Sequence, residues 1–351
     1  MLCSKSMTSI EDLSNELFYE IFEYLDGCEI YNAFSNLNIR FENLLNFSSQ
    51  PIKIHLYSKL KSKIENDCQR VIIPNKNRII SLHLSSMSAS DVLKFIPIDS
   101  SFTCLKSLVL NGLNPYEVVS FIDGLKSLPH LFSLTLYIDG ELQKLQTVYR
   151  KLHVLSVLKY FKISSKSIET IRWAWSLVEN ECINGIEHLV IDHDCPIDEL
   201  FDILLCTPRI CYLSCKSIKE SYTKKINVPI NVSNLKSVSI NNCNVDFNEF
   251  EIFIQQIHSQ IQILRFKTCT ESDYNDANRW ERLITRHIPY LHTFYLHCSM
   301  NYRSNSEYNI HLQHKNSNGF TSSFWVKRNW IFGFQMNIDE AKIIYLIHPY
   351  R

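Results

Sequence analysis

The sequence has few glycines and lacks the short motifs through which many enzymes bind phosphate, activate a serine or hold zinc. Seven glycines occur in 351 residues, and none of them belongs to a glycine-rich loop of the kind that cradles phosphate groups. Neither His-Glu-x-x-His nor Gly-x-Ser-x-Gly is present, so the known zinc and serine signatures are missing. These absences predict a protein without catalytic residues, without a metal site and without a cofactor.

The cysteines also lack the spacing of a metal site or of a disulfide framework. There are twelve cysteines but no Cys-x-x-Cys pair, which is the spacing that many zinc sites use. We therefore interpret the cysteines as small buried hydrophobic residues in a reducing compartment.

Neither sign of charge is in excess, and no hydrophobic run is long. The 36 lysines and arginines balance the 36 aspartates and glutamates, so bulk attraction to nucleic acid or to an anionic membrane is not expected. No apolar run reaches the roughly 18 residues of a membrane span, and the first residues lack the apolar core of a signal peptide. These features predict a cytoplasmic or nuclear protein that binds neither nucleic acid nor membrane.

What the sequence does contain is a six-residue pattern, apolar-x-x-apolar-x-apolar, that recurs nine times at intervals of 24 to 30 residues. Such a period is typical of repeat arrays, in which no single unit buries its apolar face alone. The apolar positions are Ile79/Leu82/Leu84, Leu105/Leu108/Leu110, Leu131/Leu134/Leu136, Leu158/Phe161/Ile163, Ile186/Leu189/Ile191, Ile210/Leu213/Cys215, Leu235/Val238/Ile240, Ile261/Leu264/Phe266 and Leu291/Phe294/Leu296.

Each pattern alternates like a strand with one buried face, and a segment of helical period follows it. Asp246 with Glu249, for example, forms a capping box before such a segment,. A strand and a helix in every period predict parallel strands with right-handed returns, and hence an α/β chain. Asp192-His193-Asp194-Cys195 follows one strand pattern and precedes Pro196 at a helix start. Consecutive residues seldom converge on one ion, so we interpret this cluster as a turn and not as a metal site.

The repeats resemble the leucine-rich-repeat family. Leu235-Lys236-Ser237-Val238-Ser239-Ile240-Asn241-Asn242-Cys243-Asn244-Val245 fits the family signature Leu-x-x-Leu-x-Leu-x-x-Asn/Cys-x-Leu throughout,. The resemblance implies an α/β leucine-rich-repeat solenoid over residues 75–300, with a curved parallel sheet and helices on its convex side. Residues 48–74 are expected to form a linker and a degenerate first repeat, in which Ile54 and Leu56 suit a strand.

Residues 10–47 carry helical periodicity without the repeat pattern, and they resemble an F-box. The family pattern Leu-Pro-x-Glu-Leu/Ile-Leu-x-x-Ile-Phe-x-Tyr-Leu is matched by Leu13-Ser14-Asn15-Glu16-Leu17-Phe18-Tyr19-Glu20-Ile21-Phe22-Glu23-Tyr24-Leu25. The resemblance implies three short helices that dock onto the Skp linker subunit of an SCF-type (Skp-cullin-F-box) ubiquitin ligase. The residues it assigns to docking are Leu13, Ser14, Leu17, Ile21, Leu25, Ile30 and Phe41.

The strand positions between the apolar residues should face outward on the concave side of the array. Cations outnumber anions among them although the whole chain is neutral, and tyrosine and arginine often anchor interfaces. We expect this face to bind a protein substrate with an acidic or phosphorylated segment, although an ordinary solvated face fits the pattern about equally well. The residues assigned to substrate binding are Lys159, Tyr160, Lys162, His188, Tyr212, Lys236, Arg265 and Tyr295.

The last segment, residues 301–351, is rich in aromatic residues and is predicted to cap the open end of the array. Within it Phe324-Trp325-Val326 and Trp330-Ile331-Phe332 flank a polar Lys-Arg-Asn turn, which predicts a hairpin. A ligand site is the alternative for this segment.

The resulting expectation is a substrate-recruiting adaptor of an SCF-type ligase that performs no bond chemistry itself. One alternative is a scaffold outside any ligase, whose N-terminal helices only cap the array. A second is an enzyme with its site on the long connections, which nothing in the spacing supports.

Overall fold

The computed structural model describes residues 10–46, 49–57, 60–85, 89–141, 145–167, 184–220, 229–269, 273–301, 318–337 and 342–350. Its contacts divide the chain into two units, residues 1–137 and 138–351. Residues 302–317 and 338–341 of the predicted C-terminal cap lie outside the described residues. The domain boundaries inferred from the sequence stay predictions.

The first unit begins with three short helices around a small aromatic core. Phe18, Phe41 and Leu44 form that core, and the rings of Phe18 and Phe41 meet edge to face with centroids 4.9 Å apart, a favourable aromatic geometry. The predicted helical segments are therefore confirmed. Their bounds are α1 Asn15–Tyr24, α2 Gly27–Phe34 and α3 Ile39–Asn46.

Strands and helices then alternate along the first unit, as the repeat pattern predicts. Strand β1 includes Ile54 and Leu56, so the strand expected before the first clear repeat is present. The elements are β1 Ile52–Leu56, α4 Lys61–Asp67, β2 Ile79–Leu84, α5 Ala89–Leu93, β3 Ser107–Leu113, α6 Val118–Gly124 and β4 Ser133–Glu141, the last of which ends in the second unit.

In the second unit helices again lie between many of the successive strands, whereas β7, β8 and β9 follow one another without a described helix. Strands β5, β6, β7, β9, β11 and β12 pair in this order, each parallel to the next, and β8 with β10 forms a separate two-stranded pair. The elements are α7 Leu145–Lys151, β5 Tyr160–Ser167, β6 His188–Pro196, α8 Ile197–Cys206, β7 Tyr212–Lys219, β8 Ile230–Asn231, β9 Ser237–Asn244, α9 Phe247–Gln256, β10 Ile257–His258, β11 Ile263–Thr268, α10 Ala277–His287 and β12 Thr293–Asn301.

The apolar pattern coincides with the core of both units. Each of the nine patterns lies on a strand or just before it, and none of their apolar side chains is more than 4% exposed. The central apolar residues also lie level with one another, because Leu189, Leu213, Val238, Leu264 and Phe294 are paired from strand to strand. The strands predicted from the sequence are thus confirmed, and the chain is α/β with mostly parallel strands.

Helices cover one side of the strands in the second unit. Phe250 of α9 contacts Phe266 of β11, with centroids 4.8 Å apart, and Trp280 of α10 contacts Phe294 of β12 at 5.0 Å. The predicted cap of α9 is present too, since the Asp246 carboxylate accepts a hydrogen bond from the Glu249 amide at 2.8 Å. Because side chains alternate along a strand, the intervening residues point away from these helices.

The predicted hairpin around Lys327-Arg328-Asn329 is wrong. Residues Ser323–Lys327 form helix α11, and the antiparallel pair consists of β13 Trp330–Asn337 and β14 Lys342–Pro349. Strand β14 also pairs antiparallel with β12. Helix formation turns Trp325 inward, where its ring meets that of Trp330 at 5.6 Å, and this packing outweighs the short-range alternation that predicted a strand.

The turn predicted at Asp192-His193-Asp194-Cys195 is also absent. All four residues belong to β6, which is irregular between Ile191 and Asp194 and pairs with β7 as far as Pro196. His193 is buried and its ring nitrogen lies 3.1 Å from the Tyr149 hydroxyl; burial lowers the pKa of His193 to about 4. The described residues contain no group of three or more His, Cys, Asp or Glu side chains placed to hold a metal.

We expect Leu108→Ala to lower the free energy of unfolding by about 2–5 kcal/mol, because it empties a fully buried position between neighbouring strands. Val109 on the same strand lies on the opposite, partly exposed side, so Val109→Ala should cost about 1 kcal/mol or less. Denaturant titrations of both variants measure the difference. Equal losses of stability would show that the inferred strand register is incorrect.

Candidate binding surfaces

Helix α1 has an exposed apolar row, Leu17 and Tyr24, beside its buried ring, Phe18. Leu17 is 43% exposed and Tyr24 is 88% exposed, and seven residues place them two turns apart on one helix face. Leu13 and Ile21 flank this row and pack partly against the aromatic core. Among the residues assigned to docking, Ser14 and Leu17 are exposed, while Leu13, Ile21 and Leu25 are half-buried.

Two of the residues assigned to docking lie inside the helical module. Ile30 and Phe41 are buried, and the Phe41 ring contacts that of Phe34 at 5.2 Å as well as that of Phe18. Neither side chain offers a partner accessible surface. Their contribution to any docking is therefore to hold α1, α2 and α3 in place.

Helix α2 is anchored on β1 by Asp26 and Gly27. The Asp26 carboxylate accepts the amide of Cys28 at 2.8 Å, capping α2, and also accepts the backbone amide of His55 on β1. Burial raises the pKa of the Asp26 carboxyl, and these amide donors oppose that rise. A Cβ atom at Gly27 would lie 2.6 Å from a methyl group of Ile54 and 2.8 Å from one of Ile52, so a larger residue here would force these side chains to shift.

The residues assigned to substrate binding fall into separate groups on the strands of the second unit. Tyr160, His188 and Tyr212 are paired neighbours on β5, β6 and β7, and the rings of His188 and Tyr212 stack with centroids 5.9 Å apart. Arg265 and Tyr295 are paired neighbours on β11 and β12.

Lys159, just before β5, and Lys162, on β5, each lie beside an acid on or just before the neighbouring strand β6. Lys159 lies 2.7 Å from Glu187, and this hydrogen bond holds the pKa of Glu187 below its usual value. Lys162 lies 3.4 Å from Asp192, which also lies 3.9 Å from Lys216. The excess of cations that the sequence indicated is thus partly offset on β5 to β7, where Glu187 and Asp192 face Lys159, Lys162 and Lys216.

The second group lies in an open pocket of about 340 Å³ on the strand side that the helices leave uncovered. The Arg265 guanidinium lies 5.3 Å from the centre of the Tyr295 ring, a cation–π contact,. Lys236 precedes β9 and is exposed, but it does not line this pocket. The polar residues lining it are Ser239, Asn241, Arg265, Lys267, Tyr295, His297 and His348.

Sequence reasoning missed Asn241, Lys267, His297 and His348. Lys267 and His297 are paired neighbours on β11 and β12, two residues beyond Arg265 and Tyr295. The outward alternation continues past the six-residue pattern, and following it for two more residues would have found both. His348 belongs to the antiparallel strand β14. No repeat pattern predicts which strand β14 pairs with.

The chain has no match among models of known protein families, and no curated protein matches it. Within the described ranges, no helix combines the length and the apolar character needed to cross a membrane.

We expect Asp26→Ala to lower the free energy of unfolding by about 1–2 kcal/mol, because α2 loses its cap and the His55 amide loses its acceptor. Amide hydrogen exchange measured by mass spectrometry should accelerate in Ile52–Leu56, the segment of β1. Glu23→Ala, which removes the same charge from an exposed position, should leave both quantities nearly unchanged. Equal exchange in the two variants would mean that Asp26 does not anchor α2.

Proposed function

We propose that this chain is a substrate-recruiting adaptor of an SCF-type ubiquitin ligase. In this proposal residues 10–47 act as an F-box that binds a Skp-type linker subunit, and residues 75–300 form a leucine-rich-repeat array that binds a protein substrate. The observation that carries it is the apolar row of Leu17 and Tyr24, which remains exposed on α1 beside a helical core of Phe18, Phe41 and Leu44. The row contains residues of the sequence pattern that resembles an F-box.

The arrangement of the repeats supports the second half of the proposal. Nine strands at nearly constant spacing bury the apolar pattern, and the helices α9 and α10 lie on one side of β11 and β12. A repeat array of this kind offers its strand side to partners. An open pocket with Arg265 and Tyr295 on that side supports a binding role for it.

The mechanism would be proximity, without a catalytic residue in this chain. Holding a substrate lysine near a ubiquitin-charged enzyme raises its effective concentration, so the transfer becomes nearly intramolecular. The adaptor needs two separate surfaces for this purpose, one for the ligase core and one for the substrate.

A scaffold outside any ligase is the second candidate, and the anchoring of α2 favours it. Asp26 and Gly27 fix α2 against β1, as a helix that protects a sheet edge would be fixed. Capping and docking do not exclude each other, because capping uses α2 whereas the exposed row belongs to α1. Binding to a Skp-type subunit distinguishes the two candidates.

We expect Leu17→Asp combined with Tyr24→Asp to weaken binding to a purified Skp-type subunit at least about a hundredfold, because two carboxylates would lose their water in an apolar interface. Both positions are exposed, so the variant should fold normally. Ile21 is left unchanged because it packs against the aromatic core. Titration calorimetry measures the affinity, and circular dichroism checks the fold.

A matched control replaces two exposed aromatic residues elsewhere in the first unit. Tyr116 and Phe132 are 79% and 42% exposed, and Tyr116→Asp with Phe132→Asp adds the same charge. This control should bind the Skp-type subunit like the unmodified chain. If the α1 variant binds as tightly as the control, or if the unmodified chain does not bind at all, the ligase proposal is rejected in favour of the scaffold.

A further inference from the structure

The strand side of β11 and β12 carries positive charge that the described residues do not neutralise. Arg265 and Lys267 follow each other on the outward side of β11, both exposed. Neither forms an ion pair within the part of the chain that the structure describes. This differs from β5, where Lys162 and the preceding Lys159 each lie beside an acid. The described lining of the pocket includes no aspartate and no glutamate.

A histidine with unmet hydrogen-bonding capacity lines the same pocket. His297 is the strand neighbour of Lys267, and its Nδ1 is buried without a hydrogen-bond partner among the described residues. Burial lowers the pKa of His297, and the positive charge of Lys267 lowers it further. Because buried polar atoms are nearly always hydrogen-bonded, the His297 ring retains hydrogen-bonding capacity that the described residues do not use.

Apolar side chains complete the pocket. Leu346 of β14 is paired directly with His297, and the Tyr295 ring lies beneath the Arg265 guanidinium. The pocket therefore offers positive charge, hydrogen-bonding side chains and an apolar wall within about 340 Å³. That volume is near the lower end for sites that enclose small molecules, so it suits one side chain and its immediate neighbours.

We propose that this pocket binds a phosphorylated side chain within an extended segment of a partner protein, with Arg265 and Lys267 facing the phosphate and His297 beside it. The inference rests on the proposed function in one respect, since it names the class of substrate that the array would recruit. The phosphate site itself needs only the pocket and its charges.

Phosphate fits this set of side chains better than a carboxylate does. A phosphorylated residue carries nearly two negative charges and three acceptor oxygens, enough for two cations and an imidazole together. Arginine adds paired N–H donors in a geometry that matches phosphate. A nucleic acid fits less well, because a chain with 36 basic and 36 acidic residues lacks the general positive charge that attracts a polyanion.

The test measures binding of the full chain to fluorescent peptide libraries by fluorescence anisotropy. Each library fixes a central phosphoserine, phosphothreonine or phosphotyrosine among randomised positions, and a matched library carries the unphosphorylated residue. We expect at least one phosphorylated library to bind about tenfold or more tightly than its counterpart, the size expected for one or two charge-assisted hydrogen bonds. Arg265→Ala combined with Lys267→Ala should abolish this preference.

The chain provides a control with the same change of charge. Arg282→Ala combined with Arg286→Ala removes two exposed cations from α10, which covers the opposite side of the strands and does not line the pocket. This variant should keep the phosphopeptide preference within about twofold, since charges on the far side of the strands are largely screened from the pocket at physiological salt. If both variants lost the phosphopeptide preference equally, the preference would depend on the overall charge of the chain, and the proposed site would be rejected.

Two further outcomes would also overturn the inference. One is equal binding of the phosphorylated and unphosphorylated libraries. The other is tighter binding of a single-stranded RNA dodecamer than of any phosphopeptide library, which would make the site a nucleic-acid site.

The two proposals fail separately in these measurements. Loss of phosphopeptide preference with intact binding to the Skp-type subunit would reject the phosphate site alone. Phosphopeptide binding without any binding to the Skp-type subunit would reject the ligase role alone. The Arg265 and Lys267 variant should bind the Skp-type subunit normally, because the proposed docking row lies on α1.

Discussion

Parallel strands can share one core only if their apolar side chains lie level with one another. In the second unit Leu189, Leu213, Val238, Leu264 and Phe294 meet this condition on five successive strands. A shift of one residue on any of these strands would turn its apolar side chains out of the core and bring its polar ones inward. The same register therefore determines the core and decides which side chains form the open strand side.

The open strand side is not subject to that packing constraint, so its charges affect binding more than they affect folding. Ion pairs as exposed as Lys159 with Glu187 contribute at most about 1 kcal/mol to stability,. The difference between Lys159 and Lys162, which have acidic partners, and the cations of β11, which have none among the described residues, thus has little effect on stability. It does determine where a negatively charged partner would find uncompensated charge.

The strands could be predicted from the sequence because each carries its own apolar pattern, whereas features that depend on distant residues could not. The hairpin around Arg328 was mispredicted because the burial of Trp325 against Trp330 is a tertiary contact. His193 was assigned to a turn because its partner Tyr149 lies 44 residues away. The charge of the strand side was overestimated at Lys162 because Asp192, which neutralises it, had been assigned to the same turn.

The helical module illustrates how capping and docking divide between its helices. Covering the edge of β1 requires α2, whose Gly27 touches Ile52 and Ile54 while Asp26 accepts the His55 amide. Phe18 of α1 fills the core beneath α2 and α3, but the exposed row of Leu17 and Tyr24 serves neither the core nor the edge. Isolated exposed apolar residues are common on proteins. Two such residues on one helix face are not needed for capping, and the proposed docking of α1 would account for them.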